Sequence, residues 1–300
     1  MTSSAALPTD NVRGTLWMVA SAIAFSIGSV LIKMIGQGLP SPQIVFFRCF
    51  FGLVLIVPFF VTDGLKVFRT PRPDLHIVRI LCATAAMLCG FYATTHLELA
   101  TAVSLSYTRP LFMILVAVMF LGEVVRWRRG LATLVGFGGV VIMLGPSGIA
   151  FSLPALAGLM AALSVTGAMA VVKQQAAVDG VKTIMTWFAV GTVIVTAIPA
   201  AFVWQPPTTT QWIELAALGL VSTAGQYLMF RALAIGELTV MNPIDYLQII
   251  IGATAGYFIF SEVPSVWTAV GAAVIVASTL YILFREAAIK KPPMPLVKDQ

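Results

Sequence analysis

Three ionisable side chains stand inside apolar runs, where a charge costs roughly 2.5–3.5 kcal/mol unless it meets a cavity or a partner. Arg48 interrupts the run Phe46-Phe47-Arg48-Cys49-Phe50-Phe51, Arg109 precedes Pro110, and Asp245 follows Asn242-Pro243. A guanidinium offers a planar fork of donors that fits a carboxylate. A carboxylate at such depth suits an ammonium group, an internal arginine or a transferable proton. Arg109 or Arg48 taking a carboxylate, with Asp245 taking an ammonium, would hold a zwitterion. The alternatives are structural: Arg48 could bind helix-end carbonyls, and an Arg109–Asp245 pair could lock or gate a helix bundle without touching a ligand. Pro110 favours an opening at Arg109, because proline withholds a backbone donor and leaves one carbonyl free. Asn242-Pro243 likewise marks a helix start or kink just ahead of Asp245.

Aromatic and amide side chains complete the candidate set. Tyr107 and Tyr246 each offer a flat apolar face and a hydroxyl, which suits a partly dehydrated organic molecule or a cation. Gln248 lies one helical turn beyond Asp245. Trp17 and Tyr92 could join them, or Trp17 could belong with Trp204 and Trp212 to an interfacial aromatic belt. His96, a single imidazole near the outer surface, carries little weight as a proton relay. Cys49, Cys82 and Cys89 fall in apolar stretches and are odd in number, so they read as packing residues. The sequence shows no metal-ligand spacing, no phosphate-binding glycine loop and no nucleophile triad, so no metal, no cofactor and no enzyme activity is expected.

The elements that must position these residues follow from composition. Of 300 residues, 59% are hydrophobic and 10% are charged, against roughly 25% charged in a soluble chain. Mean hydropathy is +0.96. A soluble enzyme, a nucleic-acid-binding domain and a disordered protein are excluded. Cutting at prolines, glycines and charge clusters gives ten apolar spans, at about 15–35, 43–61, 75–95, 100–120, 129–145, 154–174, 184–204, 211–233, 240–259 and 265–284, each long enough to cross about 30 Å of hydrocarbon. An all-α integral membrane protein of ten transmembrane helices is predicted. The net charge of +6 is an orientation signal, because basic loops stay on the cytoplasmic side. Arg13, then Lys66, Arg69 and Arg72, then Arg126, Arg128 and Arg129, then Lys173 and Lys182, then Arg285, Lys290, Lys291 and Lys298 all collect on one side. The opposite loops Pro146 to Ser152 and Gln205 to Gln211 carry no basic residue. Both tails, 1–13 and 285–300, are therefore expected in the cytoplasm, with membrane lipid and its acidic headgroups as partners.

Sliding the chain on itself by 139 residues places Phe91-Tyr92-Ala93 on Phe230-Arg231-Ala232, Glu98 on Glu237, Tyr107 on Tyr246 and Glu123 on Glu262. At one residue more, Lys33 meets Lys173. The 139-residue offset makes Ser106 the counterpart of Asp245, and Arg109 that of Gln248. Five spans per half is an odd number, so the second copy enters the membrane with inverted topology. The four glutamates fall at span ends and are expected to cap helix starts or anchor turns. Gly136, Gly138 and Gly139 in the fifth span, and Gly271 in the tenth, allow close packing between the repeats.

The first copy reads F-Y-A-T-T-H-L-E-L-A-T-A-V-S-L-S-Y-T-R-P from Phe91 and L-G-E at Leu121 to Glu123; the second reads F-R-A-L-A-I-G-E-L-T-V-M-N-P-I-D-Y-L-Q-I-I-I-G from Phe230 and F-S-E-V-P at Phe260 to Pro264. This resembles the drug/metabolite transporter superfamily, in its EamA branch of ten-helix carriers. The resemblance runs from Gly14 to Phe284 and implies two inverted five-helix repeats, 14–145 and 154–284. It also implies a central cavity between helices one, three, four, six, eight and nine, worked by alternating access. The expected function is secondary transport of a small polar organic metabolite across a bacterial cytoplasmic (inner) membrane, an amino acid or related zwitterion being favoured. Uptake of a larger metabolite, such as S-adenosylmethionine, a nucleoside-type compound or riboflavin, is the alternative. A membrane enzyme using Asp245, Arg109 and His96, or a non-transporting scaffold, represents the other classes. The expected partners are a small-molecule substrate and lipid, with proton coupling open, no nucleic acid, and a monomer or weak dimer.

Overall fold

A chain in hydrocarbon must satisfy every backbone N–H and C=O internally, so each apolar run becomes a helix. The computed structural model describes residues 11–64, 68–121, 127–144, 152–175, 178–235 and 238–290, and these residues contain helices and no strand. In chain order the helices are α1 (Asn11–Ile35), α2 (Ser41–Asp63), α3 (Pro73–His96), α4 (Leu99–Ser106), α5 (Arg109–Leu121), α6 (Trp127–Leu144), α7 (Leu153–Gln175), α8 (Val181–Phe202), α9 (Thr209–Ile235), α10 (Leu238–Asp245), α11 (Leu247–Phe260) and α12 (Val266–Lys290). Eight helical stretches are long and apolar enough to cross a membrane, and the shorter apolar stretches Ser41–Val54 and Gly130–Leu144 bring the spans to ten.

The packing obeys the duplication. The first span, α1, lies along the eighth, α9, and the third, α3, lies along the sixth, α7. Exchanging the repeats turns each of these pairs into the other. The pairs α2 with α8 and α6 with α12 map onto themselves, whereas α4 with α11 is the exchange partner of α10 with α5. Between α6 and α12 the backbones nearly touch: a Cβ on Gly271 would lie 2.5 Å from the Gly139 carbonyl oxygen. Glycine is required there because any side chain would drive the two spans apart.

The fourth and ninth spans depart from the continuous helices expected. Each is broken at the tyrosine that the duplication pairs. The Tyr107 N–H donates to the Ser104 carbonyl at 3.1 Å, and the Tyr246 N–H to the Pro243 carbonyl at 3.3 Å. Both are tight three-residue turns that end one half-helix and start another. Pro110 stands in the first turn of α5, where its missing donor costs nothing. Pro243 corrects the sequence reading: it lies inside α10 rather than at its start, and the break comes three residues later.

Candidate functional site

The two breaks meet. The Tyr107 and Tyr246 rings lie 4.6 Å apart at 36°, packed among Leu99, Leu105, Met143 and Ile275. The Tyr107 hydroxyl donates to the Asp245 carbonyl oxygen at 2.5 Å, satisfying one of the acceptors left free where α10 ends. Across each break a side chain reaches back three residues. Arg109 Nε donates to the Ser106 carbonyl at 2.7 Å, and Gln248 Nε2 to Asp245 Oδ1 at 2.5 Å. These are the same two positions in the two repeats. Arg109 also stands over the Tyr107 ring, with Cζ 5.8 Å from its centroid. Arg109 and Asp245 form no ion pair with each other, so the direct charge pair considered from the sequence does not form. The nearest acceptors and donors of the broken turns occupy both groups instead.

At one end of the bundle a second cluster closes the molecule. α11 ends on Ser261 at φ 55°, and the Glu262 N–H returns to the Gly256 carbonyl at 3.0 Å. This turn aims Glu262 at the start of α4, where Oε2 accepts the Leu99 N–H at 2.8 Å. Glu262 thus caps a helix start, as its position at a span end suggests. Its Oε1 holds Lys33 Nζ, which also donates to the Leu97 carbonyl at 2.5 Å. Lys33 is 9% exposed. The turn after α1 lies against α3, with Ser41 and Thr95 hydroxyls 3.1 Å apart. Glu123, Glu237 and the side chains of Lys173 and Asn242 lie outside the described residues.

The remaining internal charge, Arg48, opens onto a cavity of about 410 Å³ between α2, α3, α8 and α9. Among the described residues its one hydrogen-bond partner is the Met87 thioether, at 3.1 Å from Nη1. Sulfur is a weak acceptor, so most of the guanidinium's five donors are unmet. The sequence reading passed over the second arginine of this cavity, Arg79. Its Nη1 makes long contacts of 3.3 Å to Gln175 Oε1 and to the Ile184 carbonyl, and Cζ stands 4.6 Å above the Phe188 ring. Phe188, Tyr227 and Phe230 give the cavity aromatic walls, and Thr192, Thr223 and Gln226 add polar groups. The signal that singled out Arg48, a charge within an apolar run, applies to Arg79 as well, since it lies in the third span. Two further cavities, of about 420 and 470 Å³, contain no charged residue and lie beside strongly exposed apolar side chains such as Val135 and Ile250.

The cavity is lined by the second, third, seventh and eighth spans. It shares only the third and eighth with the lining that the family resemblance implies, because the broken fourth and ninth spans fill the space between them with the Tyr107–Tyr246 contact. Trp17 and Tyr92 are elsewhere. Trp17 packs beside Met18, Ala232 and Met241 with Arg231 over its ring at 5.6 Å, and Tyr92 lies against His96 with ring centroids 4.1 Å apart.

The chain matches known proteins over nearly its whole length. The profile of the EamA-like transporter family fits residues 12–145 and again 152–284. An S-adenosylmethionine uptake transporter of Rickettsia prowazekii (strain Madrid E) is 32% identical over 92% of this chain and 94% of that protein. The pseudopaline exporter CntI of Pseudomonas aeruginosa (strain PAO1) is 33% identical over 89% of this chain and 94% of its own, and a riboflavin transporter of Brucella anthropi is 29% identical over 91% and 99%. One solved crystal structure superposes with a TM-score of 0.62 at 18% identity, over 94% of this chain and 100% of that one, a likeness of fold. The chain belongs to the EamA-like transporter family, as a membrane protein built from two repeats of it.

Proposed function

We propose that this chain is a secondary transporter for a carboxylate-bearing organic metabolite of the amino-acid type, and that it works in uptake across a bacterial inner membrane with both termini in the cytoplasm. The carrying observation is that Arg48 and Arg79 line one cavity with few internal acceptors of their own. A substrate carboxylate supplies the missing acceptors, in the forked geometry that guanidinium prefers. A volume of about 410 Å³ falls in the range of sites for whole organic metabolites, which favours more than a free small amino acid. S-adenosylmethionine fits this description. Its amino-acid end carries the carboxylate, its sulfonium suits the aromatic faces of Phe188, Tyr227 and Phe230, and its adenine can stack on them. Relatives named for S-adenosylmethionine uptake support the same choice.

The crossing of the broken spans serves as the gate rather than the ligand site. Tyr107 of one repeat meets Asp245 and Tyr246 of the other there, with Arg109 and Gln248 bracing the two breaks, so a rocking motion of one repeat against the other must remake the Tyr107 contacts. With the Lys33–Glu262 end closed and the arginine cavity in the half of the bundle bearing the basic loops, the conformation faces the cytoplasm under the positive-inside rule.

Purified protein in liposomes, assayed with radiolabelled S-adenosylmethionine, riboflavin and a panel of amino acids, tests this reading. Saturable S-adenosylmethionine flux is expected. Arg48→Gln and Arg79→Gln should each lower it about tenfold or more, the loss of one charge-assisted hydrogen bond, while the protein stays monodisperse. Flux undiminished in both variants would refute the assignment.

A further inference from the structure

Behind Arg79 lies a buried chain of side chains that substrate does not touch. His76, 1% exposed, is in the first turn of α3. Its Nε2 lies 2.9 Å from Asp179 Oδ2, and its Nδ1 lies 3.0 Å from Gln175 Nε2. Asp179 Oδ2 also accepts the Thr70 hydroxyl at 2.8 Å, and Trp187 stacks on the imidazole at 5.2 Å and 27°. Gln175 Oε1 then accepts from Arg79 at 3.3 Å. Among the described residues, the other charged groups on the segments that pack against His76 are exposed: Arg69, the Arg72–Asp74 pair at the start of α3, and Lys182 in the first turn of α8.

The order of donors in this chain is fixed by chemistry. Arginine has donors and no acceptor, so Gln175 must turn its oxygen to Arg79 and its NH2 group to His76. His76 Nδ1 is therefore the acceptor, and its one ring proton sits on Nε2, donated to the Asp179 carboxylate. A second proton, arriving at Nδ1, would face the Gln175 NH2 group donor to donor. The amide must then rotate to offer its oxygen to His76, and its NH2 group swings towards Arg79. Arg79 loses its side-chain acceptor and keeps the Ile184 carbonyl and the Phe188 face.

We propose that His76 is the proton-binding site of this carrier, and that its protonation frees Arg79 for the substrate carboxylate through rotation of the Gln175 amide. Imidazole is the side chain whose charge changes between about pH 5 and pH 8. The Asp179 carboxylate, 2.9 Å from Nε2, supports the added charge. One proton passes from hydronium to Nδ1, breaking an O–H bond and forming an N–H bond, and it returns to water when Arg79 recovers its amide partner. Coupling is reciprocal, so substrate binding draws a proton onto His76, and lower pH strengthens binding. The inference rests on the proposed role of Arg79 in the cavity.

The deciding experiment needs no substrate. In the full-length protein in lipid nanodiscs, 15N NMR follows the His76 ring nitrogens and the Arg79 Nε from about pH 8 to about pH 5. The Arg79 signal is expected to move with the same midpoint as His76. In Gln175→Leu, His76 should still titrate while Arg79 no longer follows. Should that variant fail to fold, His76→Gln serves instead, and its Arg79 signal should be independent of pH. An Arg79 signal that stays still while His76 titrates, or a His76 that takes no proton over this range, overturns the proposal. Labelled S-adenosylmethionine uptake into liposomes separates the two readings. Flux that is equal at about pH 6 and pH 7.5 defeats the proton site and leaves the carrier role standing. Absence of flux with the NMR coupling intact defeats the choice of substrate alone.

Discussion

Lys33, two residues before the end of α1, and Arg48, seven residues after the start of α2, are both cations within apolar helices, yet their surroundings differ. Lys33 has a counter-charge and a second acceptor inside the protein, the Glu262 carboxylate and the Leu97 carbonyl, and Glu262 in turn caps α4. Arg48 has a thioether, and Arg79 has two long contacts. A buried charge with matched partners closes a structure. A charge left short of acceptors beside a cavity waits for a ligand that brings them. The contrast divides the internal charges of this chain into a seal and a site.

The largest effect is expected at the seal. Glu262→Ala leaves Lys33 buried without its counter-charge and strips the cap from α4, which should cost about 3–5 kcal/mol and appear as a marked fall in melting temperature. Replacing both members, Lys33→Met with Glu262→Leu, should recover much of that loss. If the single variant is as stable as the parent, the seal has no structural weight. At the site the order is reversed. Arg48→Met and Arg79→Met should leave the unfolding free energy within about 1 kcal/mol of the parent, since little internal bonding is lost, while flux falls about tenfold or more.

Packing between the repeats comes next. Gly271→Ala places a methyl group against the Gly139 carbonyl, and overpacking of this kind should cost about 1–3 kcal/mol, read by thermal unfolding. Tyr107→Phe removes the hydroxyl that holds the end of α10 and should cost about 0.5–1.5 kcal/mol, with a larger effect on transport rate than on binding if the crossing is the gate. The smallest effect belongs to Glu98, beside the seal. Burial, then the nearby Glu262 charge, holds its carboxyl above the ordinary range. A raised carboxyl favours folding below its unfolded value of about 4.3, and that gain is lost as pH rises through the folded value. Glu98→Gln should therefore flatten the fall in melting temperature between about pH 4 and pH 7 relative to the parent. An unchanged slope would show that Glu98 is not part of the seal's electrostatics.

The spans were legible because ten apolar runs between breakers and basic clusters leave little freedom, and the repeat was legible because Glu98, Tyr107 and their counterparts recur at one offset. The pairing of Tyr107 with Tyr246 as the point where both spans break was within reach of that offset, but the break itself depends on backbone turns that proline positions alone do not locate. Pro243 shows this, since it sits inside α10. Lys33 looked like a residue at a span end, and only the fold brings Glu262, 229 residues away, onto it. Arg79 and His76 lie near the basic loop before the third span, and the sequence reading passed over both. The tertiary pairing of α3 with α7 and α8 turns them inward to Gln175, Asp179 and the cavity.

The assignment of Arg48 and Arg79 to a substrate carboxylate is tested most directly by equilibrium binding of S-adenosylmethionine and of its carboxyl methyl ester to the purified protein and to the Arg48→Met/Arg79→Met double variant. Removing the negative charge from the ligand should weaken binding to the parent about tenfold or more and should make no further difference in the double variant. Equal affinity of the parent for acid and ester would contradict the assignment.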